Sequence, residues 1–266
     1  MPLKLQDKSI PTASLVGLGA CFLATLAIPL PALANALALT DGTAYFPGLV
    51  GDDPLREGFV SAFLLIFFSE IGDKTFFIAL LLALRRSKSL VFTGTFGALA
   101  VMTVISVGLG RFLHVLDELV PNLGFPLDDA LAVALLLFFG VQTLLSAGSA
   151  DEDAEEEKGE AQEAVDELNK SGTAAVGLIL STFALVFAAE WGDKSFLATI
   201  ALAAASDPTG VVLGAIAGHG VATVIAVLGG SILGNYLSEK VVQYLGGSLF
   251  LLFAVATLYD IVVGAH

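Results

Sequence analysis

The sequence predicts an all-α polytopic membrane protein: six core transmembrane helices arranged as two inverted three-helix repeats, with a signal peptide or one extra helix ahead of them. Three observations predict it. Of 266 residues, 56% are hydrophobic and only 14% charged, against roughly a quarter charged in soluble domains, and the mean hydropathy is +0.87. The apolar residues fall into several nearly uncharged runs of about twenty, the length that crosses a bilayer. Finally, a stretch beginning at Ser61 recurs at Ser181.

Residues 1–50 carry Lys4 and Lys8, then an apolar run from about Ala13 to Leu30, then Pro31-Ala32-Leu33-Ala34. Small residues in that spacing suit a signal peptidase, so a cleaved signal and an uncleaved first helix both fit; either leaves Asn35 to Asp53 outside the cytoplasm. Six spans follow, at about Glu57 to Leu84, Ser89 to Leu113, Leu127 to Ala147, Gly172 to Ala205, Pro208 to Leu233 and Val241 to Val263. The first three make one repeat (55–147) and the last three the other (172–263). Between them, residues 148–171 read as a solvated linker that could carry some helix. Ten acids crowd Asp151 to Glu167 with only Lys158 and Lys170 nearby, which accounts for −8 of the net −14 and makes nucleic acid an unsuitable partner. With this linker cytoplasmic, that side holds Arg85, Arg86, Lys88, Lys158, Lys170 and Lys240, against Arg56 and Arg111 opposite, as the positive-inside rule requires. Asp52-Asp53 and Asp128-Asp129 lie near span boundaries and read as loop residues or caps.

The repeat is ungapped over its central part. Ser61 to Phe76 aligns on Ser181 to Phe196, an offset of 120 that continues through Gly94 and Gly214, Thr103 and Thr223, and Gly110 and Gly230. After a six-residue shortening it resumes at Thr143-Leu144 and Thr257-Leu258. An odd number of spans per copy forces the second to enter the membrane from the opposite face, the inverted plan of secondary transporters.

Each copy carries Glu-x-Gly-Asp-Lys-(Thr/Ser): Glu70, Gly72, Asp73, Lys74 and Thr75, then Glu190, Gly192, Asp193, Lys194 and Ser195. The flanking apolar residues set the motif near the bilayer midplane at about 1.5 Å per residue. On a continuous helix, positions i and i+3 share a face, so Glu70 would project with Asp73 and Glu190 with Asp193. A charge at that depth costs roughly 2.5 to 3.5 kcal/mol on insertion scales. Helix-gluing ion pairs are the bland explanation, but each copy has two carboxylates and one lysine, so internal pairing leaves a net −2 over both copies. One divalent cation or two protons would balance it. Carboxylates with the Thr75 and Ser195 hydroxyls make a hard oxygen site suited to Ca²⁺, Mn²⁺ or Mg²⁺. Metal ligands are therefore expected at Glu70, Asp73, Glu190, Asp193, Thr75 and Ser195, with Lys74, Lys194, Gly72 and Gly192 in support. The glycines suit either close approach of an ion or ordinary helix packing.

Weaker features surround the motif. His219 is the one nitrogen donor at membrane depth and reads as a packing or hydrogen-bonding residue. Trp191 reads as packing. Thr93, Thr95, Thr103, Ser106 and Thr223 could line a path, although such hydroxyls usually bond back to their own helix. The sole cysteine, Cys21, excludes internal disulfides and thiolate metal sites.

Both motif copies, the three-plus-three spans and the acidic linker resemble the twin signature of the GDT-type cation/proton exchangers, over about residues 55 to 263 and with no departure at a signature position. The resemblance implies exchange of Mn²⁺ or Ca²⁺ for protons, with the acidic residues of the two motifs binding the ion and no resident cofactor. It also implies export from the cytoplasm across the plasma membrane or a thylakoid-type internal membrane, since relatives work in the Golgi and chloroplast and cyanobacterial ones export manganese. A passive divalent-cation channel, or an exporter of another small solute on the same repeat, remains the alternative. An enzyme is disfavoured: there is no His-Glu-x-x-His, Gly-x-Ser-x-Gly or nucleotide-binding loop.

Overall fold

The first helix among the described residues opens at Asp53, whose carboxylate accepts hydrogen bonds from the amides of Leu55 (3.2 Å) and Arg56 (3.4 Å), with Pro54 in the first turn. The computed structural model describes residues 53–119, 127–170, 175–229 and 238–264. The expected signal peptide or extra helix within 1–50 lies outside the described residues, as does the end of the fifth expected span beyond Gly229. Among the described residues every regular element is an α-helix: α1 Pro54–Glu70, α2 Lys74–Arg85, α3 Lys88–Leu119, α4 Leu127–Ser146, α5 Ala150–Lys170, α6 Ala175–Glu190, α7 Lys194–Ala205, α8 Pro208–Gly229 and α9 Glu239–Gly264.

Four of these are long and apolar enough to cross a membrane: Lys88–Leu116, Leu127–Ser146, Pro208–Gly229 and Glu239–Tyr259. The pair α6 and α7 makes a fifth crossing only as a bent unit, with 71° between the two helices. The expected spans Glu57 to Leu84 and Gly172 to Ala205 are therefore not continuous helices; each is broken inside the motif. The cause is legible in hindsight. Gly72 and Gly192 adopt φ of +83° and +84°, left-handed values that stop a helix and suit glycine, and the following aspartate occupies the N-cap of the next helix.

Helix pairing is reciprocal between the halves. α1 packs on α8 while its counterpart α6 packs on α3; α2 meets α8 while α7 meets α3. α3 also touches its own counterpart α8, and α4 touches α9. The closest approaches repeat at the same offset of 120. A Cβ on Gly214 would lie 2.1 Å from the Phe59 carbonyl oxygen, and one on Gly94 would lie 2.9 Å from that of Ile179. Only hydrogen in place of a side chain lets these backbones touch.

Two buried clusters hold the bundle. One joins Leu65 and Ile66 of α1 to Val211 and Ala215 of α8, Leu202 of α7 and Phe250 of α9. The other joins Ile78 and Leu82 of α2 to Val91 and Ala98 of α3, Val186 of α6 and Ala226 of α8. Apolar side chains also cover the outside: Phe112, Phe138, Leu180 and Leu228 are each more than half exposed, a surface suited to lipid.

The acidic linker differs from expectation. It is helical throughout, the 21-residue α5, and while its acids stay largely exposed, Ala161 and Val165, four residues apart on one face, are fully buried in the second cluster. With Ala154 and Leu168 they form a narrow apolar stripe through a sequence dominated by acids. Two ion pairs fasten it to α2, Lys74 with Glu160 and Arg85 with Asp166 (2.5 Å).

Candidate functional site

The break between α1 and α2 puts the motif's groups on irregular backbone flanked by two helix ends. The amide of Asp73 bonds the Glu70 carbonyl at 3.2 Å, and that of Asp193 bonds Glu190 at 3.1 Å, so both copies make the same tight turn. The last carbonyls of α1 and α6 lack onward helical partners and carry the negative end of the helix dipole. A cation is favoured there.

Glu70 and Glu190 are buried, 3% and 2% exposed. Each is held by the hydroxyl that closes its own motif: Thr75 donates to Glu70 at 3.4 Å and Ser195 to Glu190 at 3.0 Å. The copies meet across the repeat at the Lys194 ammonium, which lies 3.1 Å from Asp73. Buried carboxylates without full compensation are costly, and the second Glu190 oxygen, Oε1, has no hydrogen-bond partner.

The aspartates do not behave as a matched pair. Asp193 accepts from the Ser195 amide at 3.3 Å and caps α7. Asp73 makes no side-chain cap for α2 and takes Lys194 instead. The lysines divide the same way, since Lys74 reaches out to Glu160 on α5. The expected shared helix face for Glu70 with Asp73, and for Glu190 with Asp193, does not exist: a left-handed glycine separates them.

Of the expected ligands, the structure brings Glu70 with Thr75 and Glu190 with Ser195, and it brings the two copies together through Asp73 and Lys194. Among the described residues no three histidine, cysteine or acidic side chains converge closely enough to hold a metal. The carboxylates occupy one region without forming a finished coordination shell.

Two residues given weak roles by the sequence lie at the site. His219, buried at 4% exposure, has Nδ1 3.5 Å from Glu70 Oε1 and without a hydrogen-bond partner. Thr95 joins Glu70, Thr75 and Thr223 around a small pocket, and its buried hydroxyl is likewise unpartnered. Thr93, Thr103, Ser106 and Thr223 do bond back to the carbonyl four residues earlier, at 2.7 to 2.9 Å. A hydroxyl on the pocket side without that bond is the signal that distinguishes Thr95. Trp191 stacks on Phe196 and leans on Phe187 yet is 59% exposed, so it packs against its neighbours rather than in a core. Asp128 is more than a boundary cap: it pairs with His114 at 2.6 Å.

A cavity of about 590 Å³ leads to the motifs from the α5 side. Asp73, Asp193 and Lys194 line it together with Glu157 and Glu160 of α5 and Glu239 of α9. Burial, reinforced by the charge of Asp73, pushes the Glu157 carboxyl up to about 7. The cavity's charged lining is mostly acidic, with Lys194 as the one base among the lining residues, a balance that attracts cations.

The chain matches the family described as "Divalent cation/proton antiporter GDT1" over residues 58–151 and 178–264, leaving out most of α5. It is 60% identical over 222 residues to Protein PAM71, chloroplastic, of Arabidopsis thaliana, covering 81% of this chain and 60% of that protein. It is 58% identical over 238 residues to GDT1-like protein 1, chloroplastic, of Oryza sativa subsp. indica, covering 86% and 69%. A GDT1-like protein of Synechocystis sp. is 42% identical over 207 residues, covering 76% of this chain and 97% of that one. No solved structure matches the chain.

Proposed function

This chain belongs to the GDT1 family of divalent cation/proton antiporters, and from that premise we propose that it is a secondary exchanger carrying Mn²⁺ or Ca²⁺ out of the cytoplasm against protons. The family is one of transporters rather than enzymes. The observation that carries the reading is the meeting of the two motifs: buried Glu70 and Glu190, each held by its own hydroxyl, with Lys194 crossing to Asp73.

The transported ion is bound by Glu70 and Glu190, with Thr75 and Ser195 as hydroxyl donors and Asp73 and Asp193 completing the charge. Two inverted repeats, 55–147 and 172–263, present these groups from opposite sides, and the cytoplasmic helix within 148–171 joins them. The reciprocal pairings of α1 with α8 and α6 with α3 support that plan. Broken helices whose ends and turns face the ion are a recurring transporter device.

Carboxylates crowded in a poorly solvated site compete for metal and protons alike, so loading one displaces the other. That competition couples the two flows, and no single group is the proton carrier. The unpartnered Nδ1 of His219 adds a nitrogen donor, which favours first-row ions such as Mn²⁺ over Ca²⁺. The chloroplastic and cyanobacterial relatives favour an internal membrane of thylakoid type, with the plasma membrane as the other candidate.

Reconstituted vesicles test the reading. Imposing a pH gradient is expected to drive Mn²⁺ or Ca²⁺ uptake, and metal addition to drive protons the other way. Glu70→Gln and Glu190→Gln are each expected to lower exchange by about a hundredfold or more with folding retained, because glutamine keeps an oxygen ligand but loses charge and proton. Metal flux that persists when the gradient is collapsed would establish a passive channel instead, and metal-independent proton movement would point to another solute.

A further inference from the structure

The two motif lysines have the same place in the repeat and different partners. Lys194 crosses to Asp73, whereas Lys74, its equivalent, leaves the site for Glu160 on α5. The aspartates mirror this: Asp73 holds the foreign lysine and leaves α2 uncapped, while Asp193 caps its own helix. The two motifs thus differ in their partners, and residues of α5 line the cavity beside Asp73, Asp193 and Lys194.

We propose that Lys74 and Lys194 are alternating positioning residues: in the opposite-facing state Lys74 pairs with Asp193, Lys194 releases Asp73, and α5 holds the present state by retaining Lys74 on Glu160. The proposal rests on the inverted-repeat exchanger reading, in which the two halves trade conformations as access alternates. Exchange of arrangements requires Asp193 to give up its cap as Asp73 recovers one, so the capping loss and gain cancel. The left-handed glycines before both aspartates provide the same hinge in each copy. α5 has no repeat partner, so it breaks the symmetry and biases one side. Its grip is graded: Lys74 and Glu160 are 34% and 51% exposed, and pairs that open shift an equilibrium by about two- to fivefold. Arg85 with Asp166 and the buried Ala161 and Val165 seat the helix that carries Glu160.

The test is labelling of a single cysteine, Gln142→Cys in a Cys21→Ser background, by a membrane-impermeant maleimide in vesicles oriented with α5 outward; Gln142 lines the cavity. Glu160→Gln is expected to slow labelling about two- to fivefold as the population moves to the closed-vestibule state. Glu160→Asp should restore the parental rate, and Asp166→Asn should slow labelling in the same direction. In a Lys74→Gln background Glu160→Gln should add nothing, because the lysine that moves is gone. An unchanged rate for Glu160→Gln, or the same slowing without Lys74, overturns the proposal. Metal/proton exchange is measured on the parental protein in the same vesicles. Its loss with the labelling pattern intact would overturn the exchanger reading and leave the lysine switch standing.

Discussion

Lys194 Nζ, in the second motif copy, lies 3.1 Å from Asp73 Oδ1 in the first, and this contact ties the two motif copies together. Asp73 is 11% exposed, so removing its partner leaves a carboxylate with little water to replace it. Lys194→Gln is expected to lower exchange by about tenfold or more. The double variant Asp73→Asn with Lys194→Gln should melt closer to wild type than Lys194→Gln alone, since no orphaned charge remains. Thermal unfolding in detergent, run on the singles and the double, reads the coupling directly.

The two glycines separate backbone strain from crowding. Both have φ near +83°, where an L side chain costs roughly 1–2 kcal/mol. A Cβ at Gly192 meets nothing within 4 Å, but one at Gly72 would lie 2.1 Å from Glu239 Oε2. Gly192→Ala should therefore lose about 1 kcal/mol and Gly192→Asn less, because asparagine tolerates this region. Gly72→Ala should cost more than Gly192→Ala, and Glu239→Ala should narrow the gap. Equal melting temperatures for the two alanine variants would show that the Glu239 contact carries no energy.

His219 has leucine, Leu99, at its equivalent position in the first copy. His219→Leu removes the nitrogen donor beside Glu70 and keeps an apolar group of similar bulk. Apparent Mn²⁺ affinity in vesicle uptake should fall by about tenfold, the scale on which supporting groups tune a metal site, while Ca²⁺ affinity changes less. A parallel fall for both ions would assign His219 to packing.

Glu157 gives the docking of α5 a pH dependence. Its carboxyl is raised from 4.5 to about 7, first by burial and then by Asp73; Glu160 adds to this, and Lys194 and Lys74 oppose it. A raised acid binds its proton more readily when docked, so the Glu157 contribution to docking is fully present below about 4.5 and is lost as pH rises through about 7. Hydrogen exchange around Ala161 and Val165, corrected for the intrinsic pH effect, should be faster at pH 8 than at pH 6. Glu157→Gln should remove that difference.

Much of this protein is set by its sequence alone. Composition and charge-free runs specify apolar helices because a bilayer core leaves backbone groups no partner but their own helix. The offset of 120 singles out both motif copies before any contact is known, and the structure sets Glu70 with Thr75, Glu190 with Ser195 and Asp73 with Lys194. What the sequence reading missed lies in local conformation and long-range partners. Glu-x-Gly-Asp inside an apolar run reads as continuous helix, yet the glycine turns left-handed and the aspartate restarts the helix, so the predicted shared face is replaced by a break. The acidic linker reads as solvated because only small residues, Val165 and Leu168 interrupt its polarity, and the value of Ala154, Ala161, Val165 and Leu168 depends on α2 being there to cover them. The partners of Lys74 and Lys194 could not be read from spacing at all. Identical residues in identical motifs are distinguished only by what the fold sets opposite each, a neighbouring acidic helix for one and the other repeat's aspartate for its twin.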